Sequence, residues 1–493
     1  MNATARRDSV LPNAGLFRGR GLGWLGAICL GAIGIGALAP HSPKLAATVV
    51  FAICVLCLIA AKTELLPALL AFVLFAEGVS LGGMHIGRPA GVLALAALVY
   101  YILVRRKLNL PVSSLLVVSL TIGFWILLSA YWASDRPMVF TSWFRWALSL
   151  AFALVFAVLV ESERHLKMVL KALVVAAVVF GAVAIVEYIA SGGAAAGWGA
   201  YGTGLQGDHN LFAAYQGLAL APALVLASRE SSAHIRLAYY AAVVFIVVSV
   251  GISFSRGGLL ALLAVVLATL VLPWRVFFRR PVQKLAYVFM LALSAVIVGL
   301  LGSTQYLGRI ETIFSGNDRG SGRTDLWSAA WRGYGQHPWL GLGGGGFEGN
   351  SLSLLQNTPG VNLTAGYVRA GRPVHNAYLE SLTDLGPVGA VLFLALIGLT
   401  FWFLLRAARR YRAVGMVASQ YMALALVASL VGISFSAFFL SIQYGKSIWI
   451  LVGLALALDR NAAREATAAR TGLGHDRNRS TAQIESRHLE APV

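Results

Sequence analysis

Charge is what this chain is shortest of. Only 12% of its 493 residues are Asp, Glu, Lys or Arg, where soluble domains carry about 25%. With 58% apolar residues and a mean hydropathy of +0.76, that scarcity excludes an ordinary water-solvated protein. Cysteine is almost missing: Cys29, Cys54 and Cys57 all fall in apolar runs. Cys54 and Cys57 form one C-x-x-C with no second pair and no nearby histidine, so neither a disulfide framework nor a zinc or redox site is expected. Strand-like alternation is absent too, which argues against a membrane barrel. Nucleotide signatures are incomplete. "GKS" at 445–447 has Leu440 where a P-loop needs glycine. Gly341, Gly343 and Gly346 in "GLGGGGFEG" match G-x-G-x-x-G, but no strand–turn–helix surrounds them, and they read as a flexible hinge.

What the chain does have is long apolar runs of helical length. Hydropathy places about fourteen spans near 22–38, 45–61, 65–81, 88–104, 112–132, 139–160, 166–190, 211–228, 235–252, 257–273, 285–301, 386–405, 416–436 and 443–458. The expected fold class is all-α, a polytopic transmembrane helical bundle with one large, partly helical outer loop. The expected organisation is a cytoplasmic segment at 1–21, eleven helices over 22–301, the loop over 302–385, three helices over 386–458 and a disordered cytoplasmic tail over 459–493.

Net charge is +19, from 39 Lys and Arg against 20 Asp and Glu. With the amino terminus inside, most of the basic residues gather at one face of the predicted bundle, in clusters such as Arg105–Arg106–Lys107 and Arg406, Arg409, Arg410 and Arg412. That is the positive-inside pattern, so the basicity reports orientation and not a nucleic-acid partner. The long 302–375 connection then lies outside, and loops of that length inside a compact architecture are usually functional. Within it "TDLWSAAWRGYGQHP" reads as a short amphipathic helix with Thr324 as its N-cap and Leu326, Trp327, Ala330 and Trp331 as its apolar face.

The residues able to do chemistry gather around that loop. Arg256 stands in "SFSRGG" at the outer end of a predicted span. An arginine in lipid costs roughly 2.5–3.5 kcal/mol on insertion scales, and beside bare glycine N–H groups at a helix start it makes an anion site. The loop adds Arg309, Arg319, Arg323, Arg332, Arg369 and Arg372 and no lysine at all, which suits bidentate phosphate recognition. His375 and Asn376 precede the next membrane helix, followed at four-residue spacing by Glu380 and Asp384; "GDHN" supplies Asp208 and Asn210. His375 is the first candidate for a general base, with Glu380, Asp384 and Asp208 in reserve.

Four segments in this order, "SFSRGG" (253–258), "GRTDLW" (322–327), "HPWLGLGGGGF" (337–347) and "HNAYLESLTDLGPVG" (375–389), resemble the O-antigen ligase and polymerase superfamily of bacterial envelope glycosyltransferases. "DHN" at 208–210 is similar to that family's Asn-containing outer-loop motif. The resemblance covers about 190–405. It implies a multi-pass protein of the bacterial inner membrane that moves a glycan from an undecaprenyl-diphosphate carrier to lipid A–core or a growing polysaccharide, on the periplasmic face, with no cofactor and no metal. It further implies that Arg256 and Arg323, with Arg319, grip the diphosphate, that His375 acts at the acceptor hydroxyl, and that Asn376 and Asn210 support the site. Ligase and polymerase share these motifs. A transporter of lipid-linked glycan is the alternative from another class, although no paired inverted repeat of the transporter kind is evident.

Overall fold

The computed structural model describes residues 63–78, 80–81, 84–85, 91–96, 98–99, 112–192, 203–204, 207–314, 322–363 and 365–489, over 301–314 and 473–489 as backbone only. The expected spans at 22–38 and 45–61, most of 88–104, the three cysteines and Arg319 lie outside the described residues. The chain divides into two units, 1–62 with 81–84, and 63–80 with 85–493; the second carries every feature below.

The fold is all-α. Its helices are α1 (Leu66–Val73), α2 (Ser114–Leu128), α3 (Arg136–Leu159), α4 (Glu163–Ala190), α5 (His209–Arg229), α6 (Ala233–Ile252), α7 (Arg256–Val271), α8 (Pro281–Phe314), α9 (Arg323–Gln336), α10 (Gly346–Gln356), α11 (Ala377–Ala413), α12 (Val417–Ser436) and α13 (Lys446–Leu489). Among the described residues eight helices are long and apolar enough to cross a membrane, so the protein is polytopic. Their starts follow a common logic. The first N–H groups of a helix have no partner within it, and side chains supply one: Ser113 to Leu116 N, Asp135 to Met138 N, Ser162 to His165 N, Ser255 to Gly258 N.

α5 is the centre of the bundle. Some 94% of its apolar window is buried, and it packs on α4, α6, α7 and α12. Its sequence is apolar and Ala-rich all round, as a helix without a solvent face must be. Small residues let neighbours close in; at Gly258 of α7 a Cβ would stand 2.3 Å from the Cβ of Ala213. At the opposite end of the bundle the basic residues are fastened, with Asp459 bridging Arg406 (2.6 Å) and Arg410 (2.8 Å).

The long loop folds on a core of its own. Leu326, Ala329 and Ala330 of α9, Phe347, Leu354 and Leu355 of α10, and Val374 and Leu379 cluster with Leu342. Burying each of the larger of these side chains contributes about 1.5–3 kcal/mol.

Several expectations are corrected. α9 starts at Arg323 and is preceded by Gly322 in a left-handed conformation (φ 80°), so Thr324 lies inside the helix rather than capping it. Its buried face is Leu326, Ala329, Ala330 and Gly333, while Trp331 is 56% exposed. α8 runs past 301 to Phe314, and α11 begins at Ala377, before the predicted span. The predicted start at 386 coincides with a break in α11, where Gly386 is non-helical (φ 67°, ψ −170°) just ahead of Pro387. The tail expected to be disordered continues α13 to Leu489, since its many Ala, Arg and Glu residues are strong helix formers extending a helix already nucleated.

The glycine run is not a hinge. Leu342 N and Gly343 N donate to the carbonyls of Thr383 and Asp384 (2.9 and 2.8 Å), Gly344 N to Ser129 Oγ (2.9 Å) and Gly345 N to Asp384 Oδ2 (3.0 Å). Gly341 has φ 70°, and a Cβ there would meet the Asp384 carbonyl at 2.5 Å. Glycine is needed for close backbone approach in a pinned turn.

Candidate active site

Two helix N-termini meet first. Asp208 caps α5, its Oδ1 accepting from Asn210 N (2.7 Å) and Leu211 N (3.3 Å). The same oxygen takes the Asn210 side-chain N–H at 3.2 Å, which turns the Asn210 carbonyl outward. That carbonyl accepts from Ser255 Oγ at 2.7 Å, and Ser255 Oγ accepts in turn from Gly258 N at 2.9 Å. "DHN" and "SFSRGG" are thus one hydrogen-bonded unit. It presents Arg256, half-buried at the first position of α7, to the positive end of its own helix, a place that favours an anion.

Arg323 arrives from the long loop between α8 and α11. It is the first residue of α9, and its Cζ lies 5.7 Å from the ring centroid of Phe439. Gly257 packs against the same residue, since a Cβ there would meet Phe439 Cβ at 2.8 Å. Phe439 is a shared floor for both arginine-bearing helix starts, with a cation–π contact holding Arg323. An aromatic in "SAFFLS" carried no signal of this role.

His375 stands two residues before α11 in a left-handed backbone conformation, φ 57°. A non-glycine residue pays for that geometry in strain, and such positions cluster at functional sites. Its N–H donates to Ser441 Oγ at 3.0 Å. Burial above all, then the neighbouring Arg372 and, more weakly, Arg323, push its imidazole down to about 4, with Asp208 acting the other way. Those influences put Asp208, Arg323 and Arg372 within electrostatic reach of His375. The imidazole is neutral at pH 7 and able to take a proton. Arg372 is itself pushed down, by burial and then by Arg369, and its Nε is buried with no hydrogen-bond partner.

Three further candidates hold backbone. Asn376 caps α11, its Oδ1 accepting from Tyr378 N and Leu379 N, both at 3.1 Å. Glu380, buried, accepts from Val374 N (3.1 Å), Gln443 Nε2 (2.8 Å) and Ser441 Oγ, so it clamps the segment leading into His375. Asp384 accepts from Gly345 N (3.0 Å) and Phe347 N (2.8 Å) at the start of α10.

A multi-pass helical membrane protein, with arginines and a neutral histidine gathered where a long folded loop meets the bundle, is the class these observations define. Residues 241–394 match the family model described as O-antigen ligase, so this part of the chain is similar to that family. No curated protein matches the chain.

Proposed function

We propose that this protein is a glycosyltransferase that moves a glycan from an undecaprenyl-diphosphate carrier to an acceptor sugar, either lipid A–core or a growing polysaccharide, on the periplasmic face of the inner membrane. The observation that carries the reading is His375 kept neutral among Arg323, Arg372 and Asp208, beside the helix start that bears Arg256. The acceptor hydroxyl oxygen attacks the anomeric carbon and forms the glycosidic bond. The bond from that carbon to the diphosphate oxygen breaks, and the hydroxyl proton passes to His375. Charge builds on the departing diphosphate, and preorganised guanidinium groups aimed at such charge supply the main catalytic effect. Arg256 and Arg323 take that part, with Arg372 as a third cation.

Free His375 is a weak base because it is buried and, beyond that, because Arg372 and Arg323 face it. A bound diphosphate cancels part of their field and strengthens the base when the donor is in place. The test is the purified protein in lipid with an undecaprenyl-diphosphate-linked repeat unit, with and without lipid A–core, and products sized on a gel. A ladder without the core means polymerase; a single shift that needs the core means ligase. Movement of carrier lipid between leaflets with no glycosidic bond formed overturns the reading in favour of a transporter.

A further inference from the structure

Beside this site lies a cavity of about 410 Å³, within the range of about 300–1,000 Å³ of small-ligand pockets. Its wall is shared with the reaction centre: Pro373 lines it, two residues before His375, and so does Ser441, which holds His375 N. Gly345 and Glu380 line it as well, and most of the remaining wall comes from α3 and the turn leading into α13, with Glu77, Leu211 and Glu348 completing it.

The charges in this cavity are already matched. Arg145 of α3 forks onto Glu348 (2.6 and 3.3 Å), Lys446 pairs with Glu77, and Glu380 is filled as described. Both cations are thus engaged by carboxylates, which is unfavourable to a second phosphate or an acidic sugar. Among the described residues lining it, one fully buried side-chain polar atom is unmatched. Gln443 lines the cavity, is 7% exposed, and its Oε1 is buried with no hydrogen-bond partner. A buried carbonyl left idle costs about 1–3 kcal/mol, and a small rotation of the Gln443 side chain toward the cavity would let an arriving O–H satisfy it. Leu148, Leu211 and Tyr444 give the remaining wall an apolar face, as a pyranose needs for its C–H side.

We infer that this cavity is a subsite for one uncharged sugar residue of the glycan substrates. The inference rests on the glycosyltransferase reading for its purpose, but its binding chemistry is testable alone. The full-length protein is held in nanodiscs and probed by saturation-transfer NMR with methyl glucoside, methyl galactoside and N-acetylglucosamine, and with glucuronate and inorganic phosphate as charged probes. At least one neutral sugar is expected to give a signal, with glucuronate and phosphate giving none. Leu148→Phe, which fills the cavity, is expected to weaken the signal at least tenfold, and Gln443→Met to weaken it several-fold. Leu148→Ala, which enlarges the space, keeps the signal and controls for folding. No neutral-sugar signal in the natural protein, a signal unchanged in Leu148→Phe, or a preference for a charged probe overturns the subsite.

The transfer assay then separates the two sources of the sugar. A rise in KM for the acceptor alone places the acceptor's sugar in the cavity, and a rise for the donor alone places the donor's; a rise in neither overturns the subsite. Sugar binding that behaves as expected while Arg256→Ala and Arg323→Ala keep full transfer removes the proposed function and leaves the subsite standing. Transfer that needs both arginines, with sugar binding indifferent to Leu148→Phe, does the reverse.

Discussion

The hydroxyl of Ser255 donates to the side-chain carbonyl of Asn210 at 2.7 Å, across 45 positions of sequence. This bond ties the start of α5 to the start of α7 and so places Arg256. Asn210→Ala and Ser255→Ala are each expected to cost about 1 kcal/mol of stability, yet to lower transfer by tenfold or more, because a misplaced cation loses its charge partner. The double variant is expected to be no worse than the more damaging single, which a cycle of kcat values at saturating donor would measure.

Arg256→Ala and Arg323→Ala are expected to reduce kcat by about 10²–10³-fold each, the usual effect of removing one charge-stabilising donor. Lysine at either place should recover only part of that, since a point charge does not reproduce the planar fork. Equal activity for Arg323→Lys and the natural protein would show that bidentate contact is not used there.

The pH dependence has a definite sign. His375 acts only when unprotonated, so kcat/KM should fall on the acid side with a midpoint near 4, and the limb in kcat should sit higher because bound diphosphate offsets the arginines. Arg372→Ala removes the second-largest cause of the depression and should move the kcat/KM limb upward. Stability follows the same linkage: the folded value lies below the ordinary 6.5, so the unfolded chain binds the extra proton. Stability is full above about 6.5 and declines as pH falls toward 4. In His375→Gln this part of the decline should vanish from a series of melting curves.

Asp384→Ala leaves Gly345 N and Phe347 N, both buried, without their acceptor. Each orphaned group costs about 1–3 kcal/mol, so the outer loop should unfold at lower temperature, seen as early hydrogen exchange over α10. Asp384→Asn keeps one acceptor and should fall between. Full stability with lost transfer in Asp384→Ala would instead mark a chemical role.

Much of the bundle was legible because lipid leaves a chain few options. Runs such as 211–228 and 235–252 match α5 and α6 closely, as backbone groups in hydrocarbon must be satisfied within the helix. The site was legible in part. Arg256, Arg323 and His375 drew notice as costly or reactive residues in unusual settings. Phe439, Ser441, Gln443 and the Glu77–Lys446 pair did not, because each matters only through a neighbour far away in sequence.

The sequence by itself determined that this is a multi-spanning helical membrane protein with an arginine-rich loop, since hydropathy and charge act locally along the chain. Tertiary structure alone decided which polar groups hold backbone and which remain for chemistry. Glu380 and Asp384 carry the same carboxyl group at neighbouring turns of one helix, and both are consumed by N–H groups, of Val374 and Gln443 in one case and of Gly345 and Phe347 in the other. His375, five residues before Glu380, is left neutral and strained among cations. Hydrogen bonding and burial are properties of the surroundings, and those surroundings exist only once the loop has closed on the bundle.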